Sequence, residues 1–277
     1  MPVIALTQEM GSLAKDVSLA LAQDLQLEAM QHEVVDHLAS KMHVSRSLIR
    51  RLREGKAGLV ERLRADKEGL AVFSAEEVLE LAARDNVVLR GWGATCLLRP
   101  VSHVVCVRVT RPMAQRIDWL MEHLDTDDRD FAESEIRRSD QAHATRMSEQ
   151  FGVSWGDPLL YDLVLNTERL SVQSCVEQIR SLTQRPEFAP TDASRAMLRN
   201  MHLQASVRSA LRAHEDTHEI KISIECREGQ ALLSGIVLNA AERARTEEVA
   251  ASVAGVRQVD NQLRLMAMSR LFTSAKN

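Results

Sequence analysis

The sequence predicts an α/β chain in which a parallel-sheet domain precedes a small α+β domain of order α-β-β-α-β. Three observations carry this. An apolar run from Val3 turns at Gly11-Ser12 into an amphipathic helix with Leu13, Val17, Ala20, Leu21 and Leu25 on one face. Apolar strand-like runs then alternate with helical patterns as far as Ile179, as expected of a parallel sheet covered by helices. Later, His218–Cys226 alternates strictly, with Ile220, Ile222, Ile224 and Cys226 on one side, as a half-buried strand does.

Taken in order, the first strand, glycine turn and helix make a potential anion site, because free N–H groups point out of a helix mouth. Gln31–His37 invites a zinc reading, but His32 and His37 are five residues apart, where a helical zinc pair needs four. Lys41 to Lys67 carries nine basic residues against Glu54, Glu61 and Asp66, with Leu48, Leu52, Leu59, Val60 and Leu63 interleaved. These are helices with one buried side, and their arginines suit phosphate, which guanidinium binds bidentately. Ser74-Ala-Glu-Glu77 reads as the capped start of a short helix. Val87-Val-Leu89 and His103–Val109 read as buried strands, separated by the glycine turn Arg90–Ala94. Thr110 and Pro112 open a helix with Met113, Ile117, Leu120, Met121 and Leu124 inward. Asp127 to Glu149 is a charged helix, Tyr161–Thr167 a final strand, and Ser171 caps a helix carrying Val172, Val176 and Ile179.

After the Pro-containing stretch Arg185–Asp192, Ser194 caps a helix ending near His214. Arg227-Glu-Gly-Gln230 turns the first strand of the second domain into Ala231–Leu238. A helix from Ala240 to Ala254 stops at Gly255, and Val256–Met266 is the last strand. The expected division is 1–182 for the first domain, 183–199 for a linker, 200–268 for the second and 269–277 for a tail.

Length and composition agree: 277 residues suit about two domains, and 45% hydrophobic residues suffice for cores. A net charge of -4 and 3% aromatics speak against a nucleic-acid partner. No uncharged run is long enough to span a membrane, and Glu9 stands where a leader would be basic and then apolar, so membrane contact is not expected. Cys96, Cys106, Cys175 and Cys226 form no C-x-x-C pair and fit reduced thiols, so a cytoplasmic protein is expected.

The strand with Gly11-Ser12, Val88-Leu-Arg-Gly-Trp-Gly-Ala94, the Arg/Asp-rich helix and Asp157-Pro-x-x-Tyr161-Asp-Leu-Val-Leu-Asn-Thr167 together resemble the cytidylate kinase-like family, a P-loop branch of the nucleoside monophosphate kinases. The resemblance spans roughly residues 1–182. It implies ATP and Mg²⁺ as cofactors and a nucleoside monophosphate as phosphoryl acceptor, with catalysis by positioning and charge. It implies cofactor binding by Gly11, Ser12, Lys15 and Asp16. It also implies charge stabilisation by Arg137, Arg138, Asp140 and Arg146, and acceptor contact by Arg51, Arg90 and Asp162. No metal ligand is assigned. Several positions depart from the family. Leu13 and Ala14 replace two loop glycines, Gly91-Trp92-Gly93 stands for Gly-Arg-Gly, and His143 stands for the lid arginine. Each lost charge-stabilising contact commonly costs about 2.7–4 kcal/mol in a transition state. The expectation is therefore a nucleotide-binding kinase-like protein, either transferring phosphoryl groups or acting as an inactive nucleotide sensor or structural module.

Val207-Arg-Ser-Ala-Leu211, Leu233-Ser-Gly-Ile-Val237 and Gly255-Val-x-x-Val-Asp-Asn-x-Leu263 resemble the BON domain over residues 203–266. This implies contact with phospholipid or protein. With no basic amphipathic stripe in that half, a protein partner or self-association is the expectation.

Overall fold

The computed structural model of the chain describes residues 2–30 and 33–266. It divides after Arg199 into two compact units. The first is built from β1 (Val3–Gln8), α1 (Ala14–Leu25), β2 (Glu28–Ala29), α2 (Glu33–Lys41), α3 (Arg46–Glu54), α4 (Leu59–Arg64), α5 (Lys67–Ala83), β3 (Val87–Arg90), α6 (Ala94–Leu97), β4 (Val104–Thr110), α7 (Met113–Leu124), α8 (Arg129–Phe151), β5 (Leu163–Asn166) and α9 (Val172–Thr183). Helix α10 (Asp192–Ala213) includes residues from both sides of the division.

The five strands are all parallel, in the order β2-β3-β1-β4-β5. β1 lies in the middle, so Val3, Ile4, Ala5 and Leu6 are fully buried. That is why it reads as a continuous apolar run instead of an alternation. Ile4, Leu6, Val88, Val107 and Leu165 pack with Val17 and Leu21 of α1 and Cys175, Val176 and Ile179 of α9. Each such aliphatic side chain contributes about 1.5–3 kcal/mol by leaving water. The order brings the carboxyl ends of β1, β3 and β4 side by side, where open parallel sheets bind ligands.

Local departures from the sequence reading have physical causes. The helix expected to begin at Ser74 is the later part of α5, which starts at Lys67 with Asp66 accepting the Gly69 N–H. Ser74 lies inside it and donates to the Ala71 carbonyl, 3.1 Å away. α10 starts before Ser194, because Thr191 and Ser194 exchange reciprocal side-chain-to-amide bonds of 3.0 and 3.1 Å. β2, only two residues long, gave no periodic signal.

The second unit contains β6 (Ser223–Arg227), β7 (Gln230–Val237), α11 (Ala240–Ala251) and β8 (Gln258–Leu265). β6 pairs antiparallel with β7, and β7 pairs parallel with β8. Glu228 and Gly229 both have positive φ (52° and 83°), giving the tight turn that the Arg227–Gln230 stretch predicts. β6 begins at Ser223 and not at His218, because hydrogen bonds from His218 N to His214 O and from Ile220 N to Thr217 O hold the preceding stretch in turns. α11 ends at Ala251, and Gly255 follows it at φ 94°. Val207, Leu211, Ile224, Leu233, Val249 and Leu263 form this unit's core. The expected tail at 269–277 lies outside the described residues.

Candidate functional site

Two polar systems meet beyond the carboxyl ends of β1, β3 and β4. The first is the loop between β1 and α1. Gly11 has φ 79°, and a Cβ there would stand 3.1 Å from the Arg116 carbonyl oxygen, so α7 closes one side of the loop. Leu13 takes up the left-handed conformation (φ 61°, ψ 12°) at the N-cap of α1, a backbone state that glycine adopts far more readily. Ser12 is buried, its carbonyl accepts the Thr167 hydroxyl at 2.9 Å, and its own Oγ has no partner among the described residues. Lys15 and Asp16 are exposed on α1.

Arg116 sits over this loop. Its Nε donates to the Met10 carbonyl at 2.7 Å, and its Nη2 donates to both carboxylate oxygens of Asp140 at 2.7 and 2.8 Å. Burial raises the Asp140 pKa even with Arg116 and Arg108 opposing it. Beside them Glu9 accepts from Arg108 at 2.7 Å and from the Thr110 hydroxyl at 2.6 Å. Arg108 lies 4.3 Å over the Trp155 ring and donates to the Trp155 carbonyl at 2.7 Å. Trp155 Nε1 in turn donates to Thr7 Oγ1 at 3.0 Å.

The second system is a group of cations. Arg53 of α3, Arg90 at the end of β3 and Arg146 of α8 converge, and none forms an ion pair among the described residues. Arg146 Nη2 donates to the Arg53 carbonyl at 2.6 Å, and Arg90 Nη1 donates to Gln8 Oε1 at 3.0 Å. The Arg53 guanidinium lies 4.8 Å from the Trp92 ring centre. It also passes Gly91 so closely that a Cβ there would meet it at 2.9 Å. Burial, then Arg90 and Arg146, push the Arg53 pKa down to about 10. Burial also lowers Arg90 and Arg146. Desolvated cations that repel one another are costly until an anion joins them. Arg53 and Arg146 also line a cavity of about 910 Å³ between α3, α4, α5 and α8, with Leu52, Leu63, Leu70 and Trp92 among its walls.

Of the residues assigned from the sequence, Arg90 and Arg146 belong to this cluster. Asp140 belongs to the Arg116 system, as do Gly11 and Ser12. Arg138 edges the cavity while pairing with Glu135. Arg137 is exposed and pairs with Glu133 on its own helix, and Arg51 pairs with Glu61. Asp162 accepts the Cys106 N–H at 2.8 Å and pairs with Arg99, tying β5 to β4. Arg53, Arg108 and Arg116 were not singled out by the sequence. Arg53 is one turn after the buried Ile49, which was the available signal. His32 lies outside the described residues, and His37 is held by carboxylates of α5.

The family model of the cytidylate kinase-like family matches residues 3–169, more than half of the chain. The chain belongs to the cytidylate kinase-like family. The BON domain model matches residues 201–267. Among solved structures, an uncharacterized protein from Eubacterium ventriosum is 16% identical with a TM-score of 0.53, covering 67% of this chain and 100% of its own. That likeness supports the fold alone. Shikimate kinases from Bacteroides thetaiotaomicron (16% identical, TM-score 0.43, 66% of this chain, 99% of theirs) and Acinetobacter baumannii (15%, 0.41, 66% and 92%) are also similar, at scores that carry no argument. No curated protein matches.

The fold of this family suggests use of nucleotide and metal in general. The loop in this member does not fit a magnesium triphosphate. Gly11 is backed by Arg116, Leu13 and Ala14 add side chains where the family has glycines, and no hydroxyl follows Lys15.

Proposed function

We propose that this cytidylate kinase-like protein binds a nucleoside monophosphate by its phosphate group and does not transfer a phosphoryl group to it at a useful rate. The single observation carrying the reading is the cluster of Arg53, Arg90 and Arg146, three desolvated guanidinium groups that form no ion pair among the described residues, two of which, Arg53 and Arg146, line a cavity of about 910 Å³. A phosphate supplies the missing negative charge and can accept from all three. The cavity volume suits a ligand of nucleotide size.

The lapse in transfer is supported by the other system. His143, in the place of the family's lid arginine, has its pKa pushed down to about 3 by burial, then by Arg146, Arg53 and Arg108. It is neutral at working pH and supplies no charge to a migrating phosphoryl group. Transfer from ATP is the second reading, favoured by the Arg146 guanidinium of α8, which lines the same cavity as Arg53. The four cysteines are free, in keeping with a cytoplasmic setting where such nucleotides are available. We assign the BON domain to protein contact or self-association. Its outer strand β8 is closed to strand addition at Asn261, whose carbonyl accepts from Arg243 and whose side chain accepts the Leu263 N–H. The contact therefore uses a face and not this edge.

A thermal-shift screen against CMP, dCMP, UMP, AMP and ATP, paired with a coupled assay for nucleoside diphosphate, tests both halves. The expected result is a shift with a monophosphate and no turnover on adding ATP and Mg²⁺. No shift with any nucleotide would overturn the binding half, and multiple turnover would favour the second reading.

A further inference from the structure

The short helix α4 is amphipathic in the wrong direction for a globular protein: none of its residues is buried. Leu59, Val60 and Leu63 are 75%, 60% and 77% exposed. At about 100° per residue these three fall within an arc of about 100°. Arg62 and Arg64 flank that arc on either side, and Glu61 lies behind it, where it accepts the Gly58 N–H and pairs with Arg51. Arg62 is bonded to the carbonyls of Ala57 and Gly55 and forms no ion pair among the described residues. Arg64 and Arg50 are exposed and form no ion pair among the described residues. Residues 41–67 hold nine basic against three acidic side chains in a chain whose net charge is -4. Five of these basic residues meet carboxylates (Lys41–Glu76, Arg46–Asp36, Arg51–Glu61, Lys56–Glu54 and Lys67–Glu149), which leaves Arg50, Arg62 and Arg64 to give the surface around α4 its positive charge.

We infer that α4 and the adjoining basic surface of α3 dock on an anionic lipid bilayer. An apolar stripe with arginines on both flanks and the acid behind is the arrangement by which a helix lies in the headgroup region, with guanidinium groups reaching lipid phosphates. Lipid phosphates supply the opposite charge, and acyl chains cover Leu59, Val60 and Leu63, which a nucleic-acid backbone leaves in water. This contact is peripheral: among the described residues no helix is long and apolar enough to cross a membrane. The stripe borders the proposed nucleotide site, because Leu59, Arg62 and Leu63 also line its cavity, whereas Val60 and Arg64 do not, so substitutions at those two positions address the bilayer contact alone.

Co-sedimentation of the full chain with vesicles of phosphatidylcholine, alone or mixed with phosphatidylglycerol, tests the assignment. Binding is expected only to the mixed vesicles and is expected to weaken as salt rises. Val60→Asp should reduce partitioning by at least about tenfold, the equivalent of one valine left in water. Arg64→Ala should reduce it about fivefold, as for one basic residue lost at an anionic surface. Because both positions are exposed, melting temperatures within a degree or so of wild type are expected, and Val60→Ser replaces Val60→Asp if that variant melts lower. Absence of binding to mixed vesicles overturns the proposal. So does binding that survives both substitutions, which would place the contact elsewhere, the BON domain included. Retention on duplex DNA that is indifferent to Val60→Asp would likewise show a phosphate-binding surface and no bilayer contact.

Discussion

The imidazole of His143 lies against the indole of Trp155, ring centres 4.3 Å apart and planes 30° from parallel. Around this neutral pair stand Arg53, Arg108 and Arg146, whose charges, after burial, hold His143 unprotonated. An aromatic stack thus occupies the position that the family resemblance gives to a cationic lid residue. On the proposed reading, the site keeps the means to hold a phosphate and loses one of the means to move it.

Restoring the arginine should therefore do harm in the free protein. His143→Arg removes the stack and adds a further cation beside Arg53 and Arg146, neither of which forms an ion pair among the described residues. The expected loss is about 3–5 kcal/mol, the usual result of an uncompensated buried charge. Urea unfolding with an unchanged m-value would read it. Phosphate or a bound monophosphate should restore part of the loss, and a variant as stable as wild type would contradict the crowding described here.

Replacing a member of the cation cluster should move stability and affinity in opposite directions. Arg53→Gln relieves repulsion with Arg90 and Arg146, so the free protein should gain about 1 kcal/mol. Monophosphate affinity should fall about 10- to 100-fold, as for one lost charged hydrogen bond of about 1.5–3 kcal/mol. Paired melting and titration curves check both signs.

His37 gives a pH signature. Its Nε2 lies 3.0 Å from Glu76 and its Nδ1 2.9 Å from Glu77, with Lys41 also on Glu76 at 3.4 Å. Burial would lower the His37 pKa, but the two carboxylate bonds outweigh it and raise it from 6.5 to about 9. The native state holds this proton more tightly than the unfolded chain. The stabilisation is therefore complete below pH 6.5 and is lost as pH rises toward about 9. It amounts to roughly 3 kcal/mol at about 1.4 kcal/mol per pKa unit. His37→Gln should flatten the alkaline fall of stability between those values, measured by unfolding at several pH values.

Gly93 tests the turn after β3. Its φ is 72°, and a Cβ would meet the Phe151 ring at 2.6 Å, so Gly93→Ala must shift either the loop or the end of α8. A loss of about 1–3 kcal/mol is expected from strain and overpacking together. A neutral result would mean that α8 moves freely there.

Much of the fold was legible because its signals are local. The apolar runs at Val3, Val87 and Val104 announced strands buried on both faces, and Gly11 and Gly229 marked turns that need positive φ. Element starts were less legible where two caps competed, as with Asp66 and Ser74, since only the registered hydrogen bond decides between them. The site was half legible. Arg90 and Arg146 stood in motifs. Arg53 is one of three arginines in four residues, and only the packing of α3 against α8 selects it. Arg116 sits in an amphipathic helix whose pattern gives no hint that its guanidinium turns back onto Met10 and Asp140.

The phosphate-binding role proposed for Arg53, Arg90 and Arg146 is open to direct measurement. Calorimetric titration of CMP and of cytidine into the wild-type chain and into Arg146→Ala measures that role. Saturable binding of CMP, none of cytidine, and a drop of at least tenfold in the variant is the expected outcome. Equal binding of CMP and cytidine, or CMP binding untouched by Arg146→Ala, would contradict it.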